Sequence, residues 1–123
     1  MLRLLVSSLI LPFAMSNWKD ALARYDALVA MCPRFARKGK SMPYTSANGH
    51  MFSLLNKKGE LGFRYAKPVQ AQYMEQWGTT LFKSYGSTMQ GYVLIPEAMF
   101  DDMDQLTAYL NESYDYVMTL DPK

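Results

Sequence analysis

The chain has 123 residues, of which half are hydrophobic and a fifth are charged, with one Cys, one His and a net charge of +2. This composition excludes a disordered or collagen-like protein, and the length favours one domain with a hydrophobic core. A lone Cys excludes an internal disulfide, a single Cys with a single His excludes a self-contained Cys/His zinc site, and the small net charge excludes a bulk nucleic-acid binder.

The first fourteen residues are an apolar stretch with one charge, Arg3. A helix that spans a bilayer needs about 20 apolar residues, so this stretch is too short to cross a membrane. Three interpretations stay open: translation that begins at Met15, a short signal peptide with cleavage after Ser16, or a structured strand. A start at Met15 predicts one domain over residues 15–123 and a cytoplasmic protein, whereas a signal peptide over residues 1–16 predicts an exported one.

An amphipathic helix opens the body of the chain. Apolar residues recur at three- and four-residue spacing from Trp18 to Cys32, and Pro33 ends the run. Ser16 or Asn17 is the expected N-cap. We expect Cys32 to be a small buried hydrophobic residue on the last turn, because no second Cys lies in the chain to give it a role.

A β-hairpin is expected next, from the strand-like runs His50–Leu55 and Glu60–Tyr65. Gly59 supplies the positive φ that the connecting loop needs. The Asn-Gly pair at 48–49 indicates a tight turn before the first of these strands, which predicts a preceding strand within residues 36–46.

A helix, a strand and a terminal helix complete the prediction. The second helix covers Pro68–Trp77, with Gly78 at its end, and Gln90–Ile95 is typical of a strand. Residues 79–88 hold one short apolar pair and are assigned to no element. The acidic residues at 101–104 open the last helix, where carboxylates favour the positive end of the helix dipole. The order α-β-β-β-α-β-α predicts a two-layer α+β domain with helices on one face of an antiparallel sheet.

The sequence contains no recognisable pattern of catalytic or cofactor-binding residues. The only His, His50, adjoins a predicted turn and is expected to face solvent or to bond to backbone, which leaves a Ser or Cys nucleophile without a base. No two carboxylates have a spacing that indicates acid–base catalysis, and no glycine-rich loop matches the motif of a phosphate or dinucleotide site. We therefore expect no catalytic residues, no metal and no cofactor. A carboxylate in a pocket roofed by Met42 and Tyr44 is the enzyme hypothesis that stays open.

Charge is distributed unevenly along the chain. Residues 34–83 hold nine basic and two acidic residues, a net of +7, and residues 84–123 hold one basic and seven acidic residues, a net of −6. The residues of the predicted basic patch are Arg34, Arg37, Lys38, Lys40, Lys57 and Lys58. Such a patch binds phosphates or an acidic protein surface, and Phe35 and Tyr44 nearby are suited to stack on single-stranded bases. Alternatively, the acidic residues of the last helix neutralise it, or two copies associate basic face to acidic helix.

Tyrosines form a second candidate interface, made of Tyr44, Tyr109, Tyr114 and Tyr116. The three on the last helix are either core-edge residues with hydroxyls in water or an exposed aromatic patch. Because a helix of five turns cannot bury every side, we expect at least one of the three to be exposed.

Two stretches carry a family resemblance. The run NGHMFSLLNKKGELGFRY (Asn48–Tyr65) and the later YGSTMQGYVLIP (Tyr85–Pro96), each followed by a predicted helix, resemble the TfoX N-terminal domain family and, more loosely, the wider YjbR-like group. The resemblance covers about residues 18–123. Two features depart from the family: KSMPYTSANG (Lys40–Gly49) stands where a MFGG motif is common, and the second domain of full-length competence regulators has no counterpart.

The resemblance implies a small two-layer α+β domain and supplies no catalytic residues. It leads to the hypothesis of a non-enzymatic, TfoX-N-like module that acts by association with an unknown protein partner or with itself, as a regulator or adaptor. The alternative is a weak nucleic-acid-binding module that uses the basic patch. No membrane partner is expected once residues 1–14 are set aside. Likeness of fold alone is weak evidence for function.

Overall fold

Three α-helices and a five-stranded antiparallel sheet make up residues 17–123, which are the residues that this computed structural model describes. The alternatives for residues 1–14, and Ser16 as an N-cap, lie outside this range. The elements in chain order are α1 (Trp18–Ala30), β1 (Tyr44–Ala47), β2 (His50–Leu55), β3 (Leu61–Arg64), α2 (Lys67–Trp77), β4 (Leu81–Ser84), β5 (Ser87–Leu94), a 3-10 turn (Glu97–Asp101) and α3 (Met103–Met118).

Helix α1 begins and ends where its local signals place it. The Asn17 side chain accepts a hydrogen bond from the Lys19 backbone N–H at 2.8 Å, which satisfies a donor that the first turn leaves without a partner. The helix ends at Ala30, three residues before Pro33. Cys32 is 2% exposed, so the prediction of a small buried residue is confirmed.

The sheet has the order β1-β2-β3-β5-β4, and every neighbouring pair is antiparallel. The expected β2–β3 hairpin is confirmed. The Asn-Gly turn is also confirmed, with φ of 57° at Asn48 and 81° at Gly49. The strand before it is Tyr44–Ala47, which begins inside the predicted window of residues 36–46 and ends one residue past it, and only an isolated bridge from Lys38 to Tyr44 extends the pairing upstream.

One strand was absent from the prediction. Residues Leu81–Ser84 form β4, which pairs with β5 through a turn at Tyr85 and Gly86, and β5 itself begins at Ser87 rather than at Gln90. A strand of four residues is too short to show a clear alternation of apolar and polar residues in the sequence. Tyr85 has a φ of 53°, and an aromatic residue in this left-handed conformation is not a sequence signal for a turn.

The helices cover one face of the sheet, which confirms the α+β class and the predicted layers. The main core lies between the helices and the sheet. It includes Tyr25 of α1, Phe52 and Phe63 of the sheet, and Leu106 and Leu110 of α3, all fully buried. About 25 cal/mol for each Å² of apolar surface removed from water makes this burial the main stabilising contribution.

A second, smaller cluster lies on the opposite face of the sheet and is called here the far-face cluster. Its buried members are Leu54, Phe82 and Tyr92, and Met42, Tyr44, Met51, Met89 and Leu94 pack around them. Phe82 comes from β4 yet packs against Gly62 of β3, so the β4–β5 hairpin curls across this face. The curl brings β4 close to the β2–β3 turn.

The C-terminal end of α3 is held by the β1–β2 turn. The Asn48 side-chain amide donates hydrogen bonds to the carbonyl oxygens of Val117 at 3.0 Å and Leu120 at 2.8 Å. His50 Nε2 donates to the Asp121 carbonyl oxygen at 2.8 Å, so this histidine bonds to backbone, as expected. The last turn of a helix has carbonyls without intrahelical partners, and Asn48 satisfies two of the carbonyls at this end.

We predict that Asn48→Ala lowers the free energy of unfolding by roughly 2–3 kcal/mol, because it loses two hydrogen bonds and puts a Cβ-bearing residue without a local polar contact into the left-handed region. Asn48→Gly loses the same bonds without the conformational cost, so it should be less destabilising than Ala by about 1 kcal/mol. Urea unfolding followed by circular dichroism measures both. Equal stabilities of the Gly and Ala variants would contradict the expected cost of the left-handed conformation for alanine.

Candidate functional site

The two arginines of the predicted basic patch are held by carboxylates. Arg34 donates to Asp115 Oδ1 at 2.9 Å and to Asn111 Oδ1 at 3.0 Å. Arg37 donates to the two carboxylate oxygens of Asp26 at 2.7 and 3.2 Å. These hydrogen bonds raise the pKa of both guanidinium groups above the ordinary value. Arg34 therefore forms an ion pair with the last helix, as expected from the alternative that acidic residues of this helix neutralise the patch.

The lysines of that patch lie in two places. Lys38 and Lys40 are exposed in the segment before β1, and Lys57 and Lys58 are exposed in the β2–β3 turn. The structure brings the second pair together with Lys83, an exposed residue of β4 that the predicted patch lacks. Sequence reasoning missed Lys83 because β4 was not assigned to the sheet.

Lys57, Lys58 and Lys83 line one cavity of about 350 Å³, called here the lysine cleft. The cleft lies between the β2–β3 turn and the β4–β5 hairpin. Among the described residues, none of the three ammonium groups forms an ion pair. Glu60 supplies the carboxylate of the cleft, so three lysines and one glutamate give it a formal charge of +2.

Asn56 holds both walls of the lysine cleft in place. It is 5% exposed, and its side-chain oxygen accepts from the backbone N–H groups of Lys58 and Glu60, both at 2.9 Å. Its amide nitrogen donates to Glu60 Oε1 at 2.9 Å and to the Lys83 carbonyl oxygen at 2.8 Å. One buried side chain thus connects the turn that carries two lysines to the strand that carries the third.

Tyr85 lies at the rim of the lysine cleft and is 68% exposed. Its hydroxyl donates to the Met42 sulfur at 3.0 Å, and the Lys57 ammonium lies 5.4 Å from the centre of its ring. A lysine over an aromatic face is attracted by the ring quadrupole. The cleft therefore presents an exposed aromatic surface beside its positive charge.

The candidate tyrosines of α3 are only partly accessible. Tyr109 lies 4.8 Å from Trp77 between ring centres, and Tyr114 lies 5.3 Å from Phe35. All three tyrosines are half-buried, so the expectation that at least one is exposed is wrong. Residues outside α3 cover the rings, and helical spacing contains no information about such neighbours.

The other two candidate tyrosines are half-buried as well. The Arg64 guanidinium lies 5.9 Å from the centre of the Tyr116 ring, and Tyr44 packs into the far-face cluster. Met42, the other half of the predicted pocket roof, belongs to the same cluster and contacts Tyr85. These four tyrosines stay interface candidates through their exposed edges alone.

Buried hydroxyl and thiol groups near α1 have structural partners. The Tyr25 hydroxyl lies 2.5 Å from Ser53 Oγ, which also bonds to Thr45, and burial raises the pKa of Tyr25 well above its usual value. The Cys32 thiol donates to the Leu28 carbonyl oxygen at 3.5 Å, and burial raises its pKa too. A raised pKa keeps the thiol protonated and therefore a poor nucleophile.

Residues 17–123 contain neither a metal-binding cluster nor a membrane-spanning helix. No group of three or more His, Cys, Asp or Glu side chains in this range is arranged to hold a metal ion. In the same range, no helix combines the length and the apolar character needed to cross a bilayer.

Compared with protein-family models, with curated proteins and with solved structures, the chain has no match in any of the three. The resemblance to the TfoX N-terminal domain family stays a prediction that rests on the hairpin and final-strand motifs. Function is therefore inferred from the geometry of the lysine cleft.

Proposed function

We propose that this chain is a non-enzymatic, TfoX-N-like module that acts by protein association, and that its partner presents an acidic segment to the lysine cleft. One observation supports the proposal above the others. Three exposed lysines, which form no ion pair within residues 17–123, line a single cleft beside a tyrosine that is 68% exposed.

Ion pairs within the chain neutralise three arginines of the described surface but not the cleft lysines. Arg24, Arg34 and Arg37 each form an ion pair within the chain, with N–O distances of 2.6 to 2.9 Å. The cleft lysines form none among the described residues, although the last forty residues of the chain are rich in acids. Unbalanced positive charge in a concave surface attracts acidic partners and speeds their association.

Tyr85 adds an anchor to the charged surface. Tyrosine is enriched at protein interfaces because its ring buries apolar area and its hydroxyl bonds to polar groups. Contacts with Met42 and Lys57 already restrict the ring, so a partner would pay less entropy to order it.

A single-stranded nucleic acid is the second candidate, because an exposed aromatic ring beside lysines also suits base stacking. Protein association is favoured for a physical reason. A single strand carries a phosphate at every nucleotide and needs a basic track that extends beyond one cleft, and carboxylates of the chain already hold Arg34 and Arg37, which would have to extend it.

Binding of a fluorescent Glu-Gly repeat peptide, measured by anisotropy at low salt, tests the proposal. We expect binding to weaken by more than about tenfold when Lys57, Lys58 and Lys83 are changed together to Gln, because each charge-assisted bond contributes on the order of 1.5–3 kcal/mol. The control variant changes three exposed lysines outside the cleft to Gln: Lys19, Lys38 and Lys67.

The control should bind nearly as well as the unmodified protein. An equal loss in both variants, or no binding of the acidic peptide, would refute the proposal. Tighter binding of an oligo-dT strand than of the acidic peptide would replace it with the nucleic-acid alternative. Circular dichroism of both variants establishes that they are folded.

A further inference from the structure

We propose that the group recognised by the lysine cleft is a phosphate monoester, carried by a phosphorylated side chain within the partner's acidic segment. This inference rests on the proposed function, because it names the chemical group that the same cleft selects. Three features of the cleft support it: the charge, the number of donors, and their placement on two facing walls.

The formal charge of the cleft matches a phosphate better than a carboxylate. Three lysines and Glu60 give a formal charge of +2. A phosphorylated side chain carries a charge of about −1.5 to −2 at neutral pH, whereas a glutamate carries one negative charge. A phosphate therefore neutralises the cleft, and a single carboxylate leaves it positive.

The number of donors also favours a phosphate. Each of the three lysines ends in an ammonium group that donates from a flexible stem and acts as a compact charge. A phosphate monoester has three terminal oxygens, so one group can accept from all three lysines at once. A carboxylate has two oxygens, so two of the three ammonium groups would have to share one oxygen.

Asn56 fixes the spacing of the two walls. Its side chain bonds to the backbone of Lys58 in the β2–β3 turn and to the carbonyl oxygen of Lys83 in β4. Lys57 and Lys58 of the turn and Lys83 of β4 therefore line the cleft from two different elements. With about 350 Å³ between these walls, the cleft has room for a phosphate and the side chain that carries it.

Glu60 provides a variant that should gain affinity. Its carboxylate lies in the cleft and accepts from Asn56. Glu60→Gln keeps an oxygen for that hydrogen bond and removes the negative charge, so the cleft rises from +2 to a formal charge of +3. A phosphate ligand should bind several-fold more tightly to this variant, because a neighbouring like charge has been removed.

The test compares three peptides that share one Glu-Gly repeat and differ at the central residue, which is phosphoserine, glutamate or serine. We expect the phosphoserine peptide to bind about tenfold more tightly than the glutamate peptide. Lys83→Gln should remove most of this preference, and Lys67→Gln, an exposed control, should leave it unchanged. Inorganic phosphate should compete with the phosphoserine peptide.

The outcomes separate this inference from the proposed function. Equal binding of the phosphoserine and glutamate peptides overturns the phosphate inference and leaves protein association standing. Failure of all three peptides to bind overturns both. A preference that Lys83→Gln leaves intact, or weaker phosphoserine binding by Glu60→Gln, places the phosphate elsewhere and overturns the inference. Tighter binding of oligo-dT than of the phosphoserine peptide overturns it in favour of nucleic acid.

Discussion

Gly62→Ala is expected to lower the free energy of unfolding by about 3 kcal/mol, although it adds one methyl group to a residue in a strand. The reason is a steric one. A Cβ atom on Gly62 would lie 2.7 Å from both Cδ1 and Cδ2 of the Phe82 ring. Overpacking of a filled core costs 1–3 kcal/mol and occasionally more, because neighbouring groups are forced out of their preferred positions.

Neither side of this contact can move without loss of sheet pairing or packing. Gly62 pairs with Leu54 on one neighbouring strand and with Leu94 on the other, so its backbone is held from both sides. Phe82 is fully buried in the far-face cluster. The substitution should therefore shift the β4–β5 hairpin, on which Lys83 and Tyr85 are carried.

A double-mutant cycle in urea measures the contact directly. Phe82→Leu removes the ring that a Cβ on Gly62 would meet, so the double variant should be less destabilised than the sum of the single variants, with a coupling of about 1–3 kcal/mol. Gly78→Ala adds a Cβ that meets no atom within 4 Å, so its cost reports the backbone strain at a φ of 66°, about 1–2 kcal/mol, without a clash. Additive effects of Gly62→Ala and Phe82→Leu would contradict the steric explanation.

Asn56→Ala is the second substitution with a large expected effect, about 3 kcal/mol. The change removes four side-chain hydrogen bonds at a residue that is 5% exposed. Polar groups left without partners inside a protein cost about 1–3 kcal/mol each, and water reaching part of this site limits the total. The variant should also lose affinity for the acidic peptide, since Asn56 holds Lys58 and Lys83 on facing walls.

Two comparison variants sharpen this test by urea unfolding. Asn17→Ala removes one exposed N-cap hydrogen bond and should cost only about 1 kcal/mol. Asn56→Asp keeps the acceptor oxygen but loses both donors and places a second carboxylate beside Glu60. Because the new side chain can still accept from the Lys58 and Glu60 backbone N–H groups, Asn56→Asp should retain part of the stability that Asn56→Ala loses. Stability of Asn56→Ala within a few tenths of a kcal/mol of the unmodified protein would show that the hydrogen bonds contribute little.

Local patterns predicted the helices and the central hairpin. The apolar stripe of α1, Gly78 after α2 and the Asn-Gly turn at 48–49 all act over a few residues, and the structure has each of them in place. Such signals depend on backbone conformation and capping, which neighbouring residues determine. Local signals did not predict the exact bounds of β1 or any part of β4, because short strands are stabilised by the partners with which they pair.

The candidate site also separates what the local sequence predicts from what tertiary contacts determine. Composition and spacing by themselves determined the fold class, the scarcity of Cys and His, and the excess of positive charge in the middle of the chain. Only the tertiary structure decided which charges meet: Arg34 pairs with Asp115, which is 81 positions away, while Lys57 and Lys58 join Lys83 across the curled sheet. The physical reason is that ion pairing and steric contact depend on distance in space, which the packing of elements far apart in the chain determines, as where Phe82 of β4 packs against Gly62 of β3.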